Sequence, residues 1–324
     1  MSDARRVASR RVDGGPAADA GRRPAGSDAP VVTDGSARIL ETGYRPYDGP
    51  RLGTSHAVWT LARHTFERVL GLRRPARYKV LPLVTVVIAY LPAIAFIGII
   101  ALIPDARARR LVPDPGNYYP FVTAALILFA ALSAPEALCP DKRSRFLGIY
   151  LASPLTRTTY LLAKAAAVGT AVMLVTFGPP LLLLVGKALQ NAGPRGFGAF
   201  METLGQTLLA GVALAAMFTS LALAVPSLTD RRAFASAGSM LLLVGTGAIA
   251  SLMSFGLRLG DGWLLLALNR LPFEVTERVF DRHGLPTPSE TPLPTWAVIL
   301  AACTVTVVAS AITWWRVVKA EVTR

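Results

Sequence analysis

Six apolar runs, each free or nearly free of charge, constrain this chain more than any other feature: 80–103, 119–138, 165–186, 204–228, 233–257 and 296–315. Crossing a hydrocarbon core of about 30 Å takes about 20 apolar residues in a helix, and each run is near that length. Lipid offers no water to satisfy a free N–H or C=O, so each run is expected to be helical throughout. Composition agrees, with 52% of the 324 residues hydrophobic and only 17% charged, an oilier balance than soluble domains carry. The expected fold class is an all-α integral membrane protein with six transmembrane helices.

The net charge of +14 does not point to nucleic acid, because the basic residues cluster between the apolar runs rather than along one face. Clusters of that kind sit on the cytoplasmic side of a membrane, where anionic lipids hold them. Fifteen Lys and Arg precede or include Lys79, five lie in 139–164, two in 229–232 and three after Trp315. The connections on the other side hold three, two and four. With an even number of spans this bias places both termini in the cytoplasm of a multi-pass cell-membrane protein. Arg107, Arg109 and Arg110 run against the rule and are outvoted.

Residues 1–43 are rich in Arg, Ala, Gly, Asp and Pro and almost lack large apolar side chains, so a disordered cytoplasmic tail is expected there. Arg10-Arg11 is followed by Val12-Asp13-Gly14-Gly15 in place of an apolar stretch, and no cleavable signal is expected. Over 55–78, Val58, Leu61, Ala62, Phe66, Val69 and Leu70 recur at helical spacing. Arg63, His64, Glu67 and Arg68 take the other side. This amphipathic helix, capped by Thr54 or Ser55, is expected in the inner membrane interface; packing on the protein itself is the alternative.

Several spans carry helix breakers. Pro92 lies within the first run and Gly178-Pro179-Pro180 within the third; each removes backbone hydrogen bonds and predicts a kink, which marks either a substrate path or a packing feature. The fourth and fifth runs are dense in small residues such as Ala210, Gly211, Ala215, Ala235 and Gly238. Close helix packing within the chain, or a dimer seam, would use them. In the last outer connection, 258–295, Pro272 opens a short helix with Phe273, Thr276 and Phe280 on one face, and 263–268 is apolar but too short to span. Pro286, Pro288, Pro292 and Pro294 then preclude regular structure.

Nothing in the chain supports bond chemistry. Gly186-Lys187 is followed by Ala188 and lacks the earlier glycine of a phosphate loop, there is no HExxH, and His56, His64 and His283 are scattered. Ser239 and Ser251 lie in spans without a histidine partner. Cys139 and Cys303 stand alone in their segments and read as small packing residues.

The informative stretch is 134–164. It holds Glu136 at the end of the second run, the basic run Lys142 to Arg145, then Phe146, Leu151 with Ser153-Pro154-Leu155, Arg157 and Lys164. Ser153-Pro154 stops a short helix, since the residue before a proline is pushed out of helical geometry. Arg157 and Lys164 mark where the third run enters the inner leaflet. In this pattern the chain resembles the ABC-2 family of ATP-binding-cassette transporter permeases, in which an acidic residue ends the second span. A basic loop, a short helix closing on a Leu-x-Ser-Pro-Leu-like turn, an Arg and a Lys opening the third span follow there.

The resemblance implies that Arg143, Arg145, Phe146, Leu151, Ser153, Pro154, Leu155 and Arg157 form the segment that couples to a separate ABC ATPase subunit. That subunit would hold the ATP and Mg, with no cofactor bound by this chain. It also implies a homodimer or a heterodimer with another permease, and export as the direction. No Asp or Glu occurs between Lys142 and Met201, which predicts an acid-rich partner surface. Glu136 is expected either to pair with Arg143 or Arg145 or to act in transport, with Pro92, Gly178, Pro179 and Pro180 as candidate pathway positions. The rival readings are a secondary transporter driven by an ion gradient and a non-transporting membrane anchor.

Overall fold

A computed structural model of the chain describes residues 49, 52–72, 75–103, 112–144, 147–152, 154–282 and 293–319. The expected tail over 1–43, the three outvoted arginines, and Pro286, Pro288 and Pro292 lie outside the described residues. Among those described the chain is all helical. An amphipathic helix α1 (Thr54–Val69) precedes the first span, α2 (Ala76–Leu102). The amphipathic helix stops nine residues short of its expected end, in a turn through Leu72. Five more helices are long and apolar enough to cross a membrane: α3 (Tyr119–Arg143), α5 (Arg157–Leu189), α6 (Phe197–Leu228), α7 (Arg232–Gly256) and α9 (Thr295–Val318). Between them lie two short ones, α4 (Leu147–Ala152) and α8 (Leu271–Val279).

All six expected spans are present, and several run past their apolar limits. Helix α3 continues five residues beyond Leu138, and α5 begins eight residues before Ala165. The polar residues in these extensions are neutralised by one another, so the helices need not stop where the oily sequence does. Helix α6, at 32 residues, is about 48 Å long, well over the thickness of the hydrocarbon core.

Helices α3 and α6 form the centre and are mostly buried, whereas α2 and α9 are mostly exposed. The exposed aliphatic and aromatic faces of α2, α7 and α9 suit lipid, since lipid tails are as apolar as these side chains. The small residues of α6 are spent inside the chain: Ala210, Gly211 and Ala215 are buried, and a side chain on Gly211 would meet Phe177 of α5 at 2.9 Å. Helix α7 is looser, with π turns at Leu241–Gly245 and Leu252–Gly256.

Between α7 and α9 a 3₁₀ turn (Asp261–Leu266) and α8 fold back against the bundle. Pro272 stands in the first turn of α8, and Phe273 and Thr276 are buried as their spacing predicts, with Phe280 at the cap half-buried. Phe273 packs edge-on against Phe218 of α6 at 6.4 Å between centroids. Leu264 of the 3₁₀ turn is buried with Leu271, Met217 and Val298, so the short apolar piece closes the end of the bundle between α6 and α9.

Candidate functional site

The end of the bundle that carries α1 and α4 is organised by a buried carboxylate. Asp141, in the last turn of α3, is only 1% exposed. Its Oδ1 accepts a hydrogen bond from Arg68 of α1 at 2.6 Å. Its Oδ2 lies 2.6 Å from Lys164 Nζ of α5, and accepts a bond from the Tyr160 hydroxyl at 3.1 Å. Lys164 is also 1% exposed, and its ammonium stands 5.5 Å from the Tyr160 ring and 5.9 Å from the Tyr150 ring. A buried charge persists only when paired and hydrogen-bonded; here one carboxylate is met by two cations and a phenol.

This cluster reaches α4. Tyr150 stacks on Tyr160 at 5.6 Å, and its hydroxyl takes a hydrogen bond from Arg68. Burial, and then the negative charge of Asp141, push the Tyr150 phenol up from its ordinary value, so it stays protonated. Burial opposes the charge on Arg68, but the hydrogen bond and field of Asp141 outweigh it and hold the guanidinium above its usual value. One set of contacts thus ties α1, the end of α3, α4 and the start of α5.

Further staples surround it. Thr156 opens α5 with a reciprocal cap, its hydroxyl accepting from the Thr159 N–H at 3.2 Å while Thr159 Oγ1 accepts from the Thr156 N–H at 2.8 Å. Arg157 donates to the Val318 carbonyl at the end of α9. Lys142 donates to the Ser227 carbonyl of α6 at 2.7 Å and lies 3.5 Å from Asp230. Glu136 pairs with Arg232 at the start of α7, a partner the sequence does not suggest; of the two it does suggest, Arg145 lies outside the described residues. Arg143 points outward as an exposed side chain, whereas α7 returns to the same end beside α3 and presents Arg232.

Ile149 is 67% exposed on α4, and Pro154 is exposed in the turn after it. Leu155 is buried in the core and Arg157 is half-buried. Arg145, Phe146 and Ser153 lie outside the described residues, as does the side chain of Leu151. The sequence profile of a family described as "ABC-2 family transporter protein" matches residues 115–315.

This chain belongs to the ABC-2 transporter family.

A comparison with curated proteins returns no match. The ABC-2 match covers α3 through nearly all of α9 and leaves out α1 and α2. In this ABC-2 permease Asp141, Arg68, Tyr150 and Tyr160 form the buried node, and sequence reading singled out none of them as site residues. Their one legible signal is an acid set directly before Lys142-Arg143 in a segment otherwise basic; Arg68 is 73 positions away, and Tyr160 and Lys164 reach Asp141 through the packing of α5 on α3.

The two helix breaks are closed by tyrosines. At Pro92 the Tyr118 hydroxyl accepts from the Ala93 N–H at 3.0 Å and donates to the Ala89 carbonyl at 2.6 Å, replacing a helical hydrogen bond. Before Gly178-Pro179-Pro180 the Leu174 carbonyl accepts from the Tyr90 hydroxyl at 2.9 Å. A Cβ on Gly178 would stand 1.8 Å from that hydroxyl, which is why glycine occupies the position. Pro179 and Pro180 are buried, and Thr176 donates to the Gly211 carbonyl at 3.1 Å. Among the described residues no three of His, Cys, Asp and Glu gather as metal ligands.

Proposed function

We propose that this ABC-2 permease is the membrane subunit of an ATP-driven exporter, moved by a separate ATPase that docks on α4. The observation that carries this reading is the anchoring of α4 to the Asp141 node while Ile149 stays exposed. A short helix tied through Tyr150 to Tyr160 of α5 and Arg68 of α1 passes a push on its outer face to those helices, where a solvated loop would absorb it. ATP and Mg belong to the partner. The basic bias of the connections supports termini in the cytoplasm and the Asp141 node at the inner face of the cell membrane. Two copies, or this chain with a related permease, would enclose the path.

Co-purification tests it. The full chain is expected to bring down a P-loop ATPase encoded beside it, and Ile149→Asp, a change at an exposed position, is expected to abolish that association while leaving the permease monodisperse. An Ile149→Asp chain that retains both the ATPase and its stimulation would overturn docking on α4.

A further inference from the structure

We infer that a buried water site lies where α1, α2, α3 and α7 meet, the water bridging the Ser133 hydroxyl to the Glu136–Arg232 pair and so pinning α3 to α7. The site is a small cavity of about 10 Å³, room for about one water molecule. Pro82 of α2, Leu132, Ser133 and Glu136 of α3, Arg68 of α1 and Arg232 of α7 all line it.

The sequence opens the cavity. Pro135 in α3 has no N–H, so a carbonyl one turn earlier loses its helical donor. The backbone there widens into a π turn, Phe129–Ser133, and the Leu132 carbonyl within it accepts from Arg232 Nη2 at 3.4 Å. A second helix-interior proline, Pro82, stands on the α2 wall. Prolines and π turns are where a helical ladder opens enough for water to enter it. Arg232 is exposed, which gives water a way in.

Ser133 identifies the occupant. It is 1% exposed and its hydroxyl has no hydrogen-bond partner, although a helical serine can satisfy itself on a carbonyl of the preceding turn. A buried hydroxyl left unpaired is unfavourable. Ser133 nevertheless shares its cavity with a carboxylate and a guanidinium that both lie beyond its direct reach. One water closes that gap. It accepts from the Ser133 hydroxyl and from an Arg232 N–H and donates to the Glu136 carboxylate, which supplies the roughly three partners a buried water takes. Charged occupants fit worse, because Arg68 and Arg232 stand against a metal cation and Glu136 stands against an anion. Ser133 thereby becomes a third link between α3 and the start of α7, beside the Glu136–Arg232 ion pair and the Leu132 carbonyl.

The experiment uses the full chain in detergent and no ATPase, so its result is independent of docking on α4. Ser133→Ala takes a partner from the bound water and is expected to lower the melting temperature by about 2–4 °C. Were the hydroxyl dry and unpaired, removing it would relieve a penalty, so an unchanged or raised melting temperature overturns the inference. Radiolytic hydroxyl labelling read by mass spectrometry is the second measurement, since radicals formed from a bound water oxidise the side chains around it. Pro82, which is buried, is expected to be oxidised in wild type and severalfold less in Ser133→Val, whose methyl groups fill the cavity. Pro82 left unoxidised, or oxidised equally in both chains, overturns the inference as well. Should Ser133→Val fail to fold, the melting of Ser133→Ala and the labelling of wild type carry the test. Replacing chloride by gluconate at constant ionic strength is expected to leave the wild-type melting temperature unchanged; stabilisation that depends on chloride would make the occupant an anion and sink the water.

Discussion

At the scale of single residues, Asp141 and Lys164 make the strongest claim, because neither has water to fall back on. Asp141→Asn leaves a buried ammonium uncompensated, and breaking such a pair costs about 3–5 kcal/mol. A large drop in thermal unfolding temperature in detergent is the expected outcome. Asp141→Asn/Lys164→Met removes both charges and is expected to recover most of the loss; a double variant as unstable as the sum of the singles would show that the two groups do not interact. Glu136 teaches the reverse lesson about what a sequence reveals. That it would be paired was legible, since an ionisable group near a span is costly unless met. Its partner was not, because Arg232 is 96 positions away and is brought in by the path of α7.

At the scale of elements, the proline in α2 and the tyrosine beside it form a unit. Tyr118→Phe leaves the Ala93 N–H and Ala89 carbonyl unbridged in a buried place and is expected to cost about 1–3 kcal/mol. In a Pro92→Ala background the helix repairs itself, so the same change is expected to cost much less; equal costs in both backgrounds would separate the two residues. A different element carries the pH dependence. Burial pushes the Glu277 carboxyl in α8 up from its ordinary value, against the lowering effect of Arg282. Its protonated form is thus favoured in the fold, and it withdraws stability as pH rises above the ordinary carboxylate range. Glu277→Gln is expected to unfold at a higher temperature than wild type at neutral pH, with the gap closing toward pH 4, as followed by thermal melts across pH.

The same scale shows where sequence reading succeeds and stops. The centres of all six spans follow from apolar length, and Pro154 stands in a turn beyond α4. Helices α3 and α5 run past their apolar limits because the charged residues there solvate each other. The helix breakers were visible at Pro92 and at 178–180. That each would be closed by a phenol from another segment depends on packing that no local pattern encodes.

At the scale of the whole molecule, orientation and partner are open to direct trial. A membrane-impermeant maleimide is expected to label Ile149→Cys only in inside-out vesicles and Asp114→Cys, at the opposite end beside Lys187, only in intact cells. The reverse pattern would invert the protein. Because no acid lies between Lys142 and Met201, Arg143→Glu is expected to weaken ATPase association by placing a negative charge against an acid-rich surface. Unchanged co-purification would remove the idea of charge matching there.

The two π turns of α7 have a mechanical consequence. Each holds one residue more than an α-helical path between the same points would need, so the helix stores two spare links in its own backbone. Passing a spare link from one turn to the next advances the intervening side chains by about 1.5 Å and swings them by roughly a quarter of a revolution. Most of the backbone hydrogen bonds survive such a slip. A span built this way possesses a ratchet of single-residue pitch, and α3, which packs beside it, carries one such π turn at Phe129–Ser133.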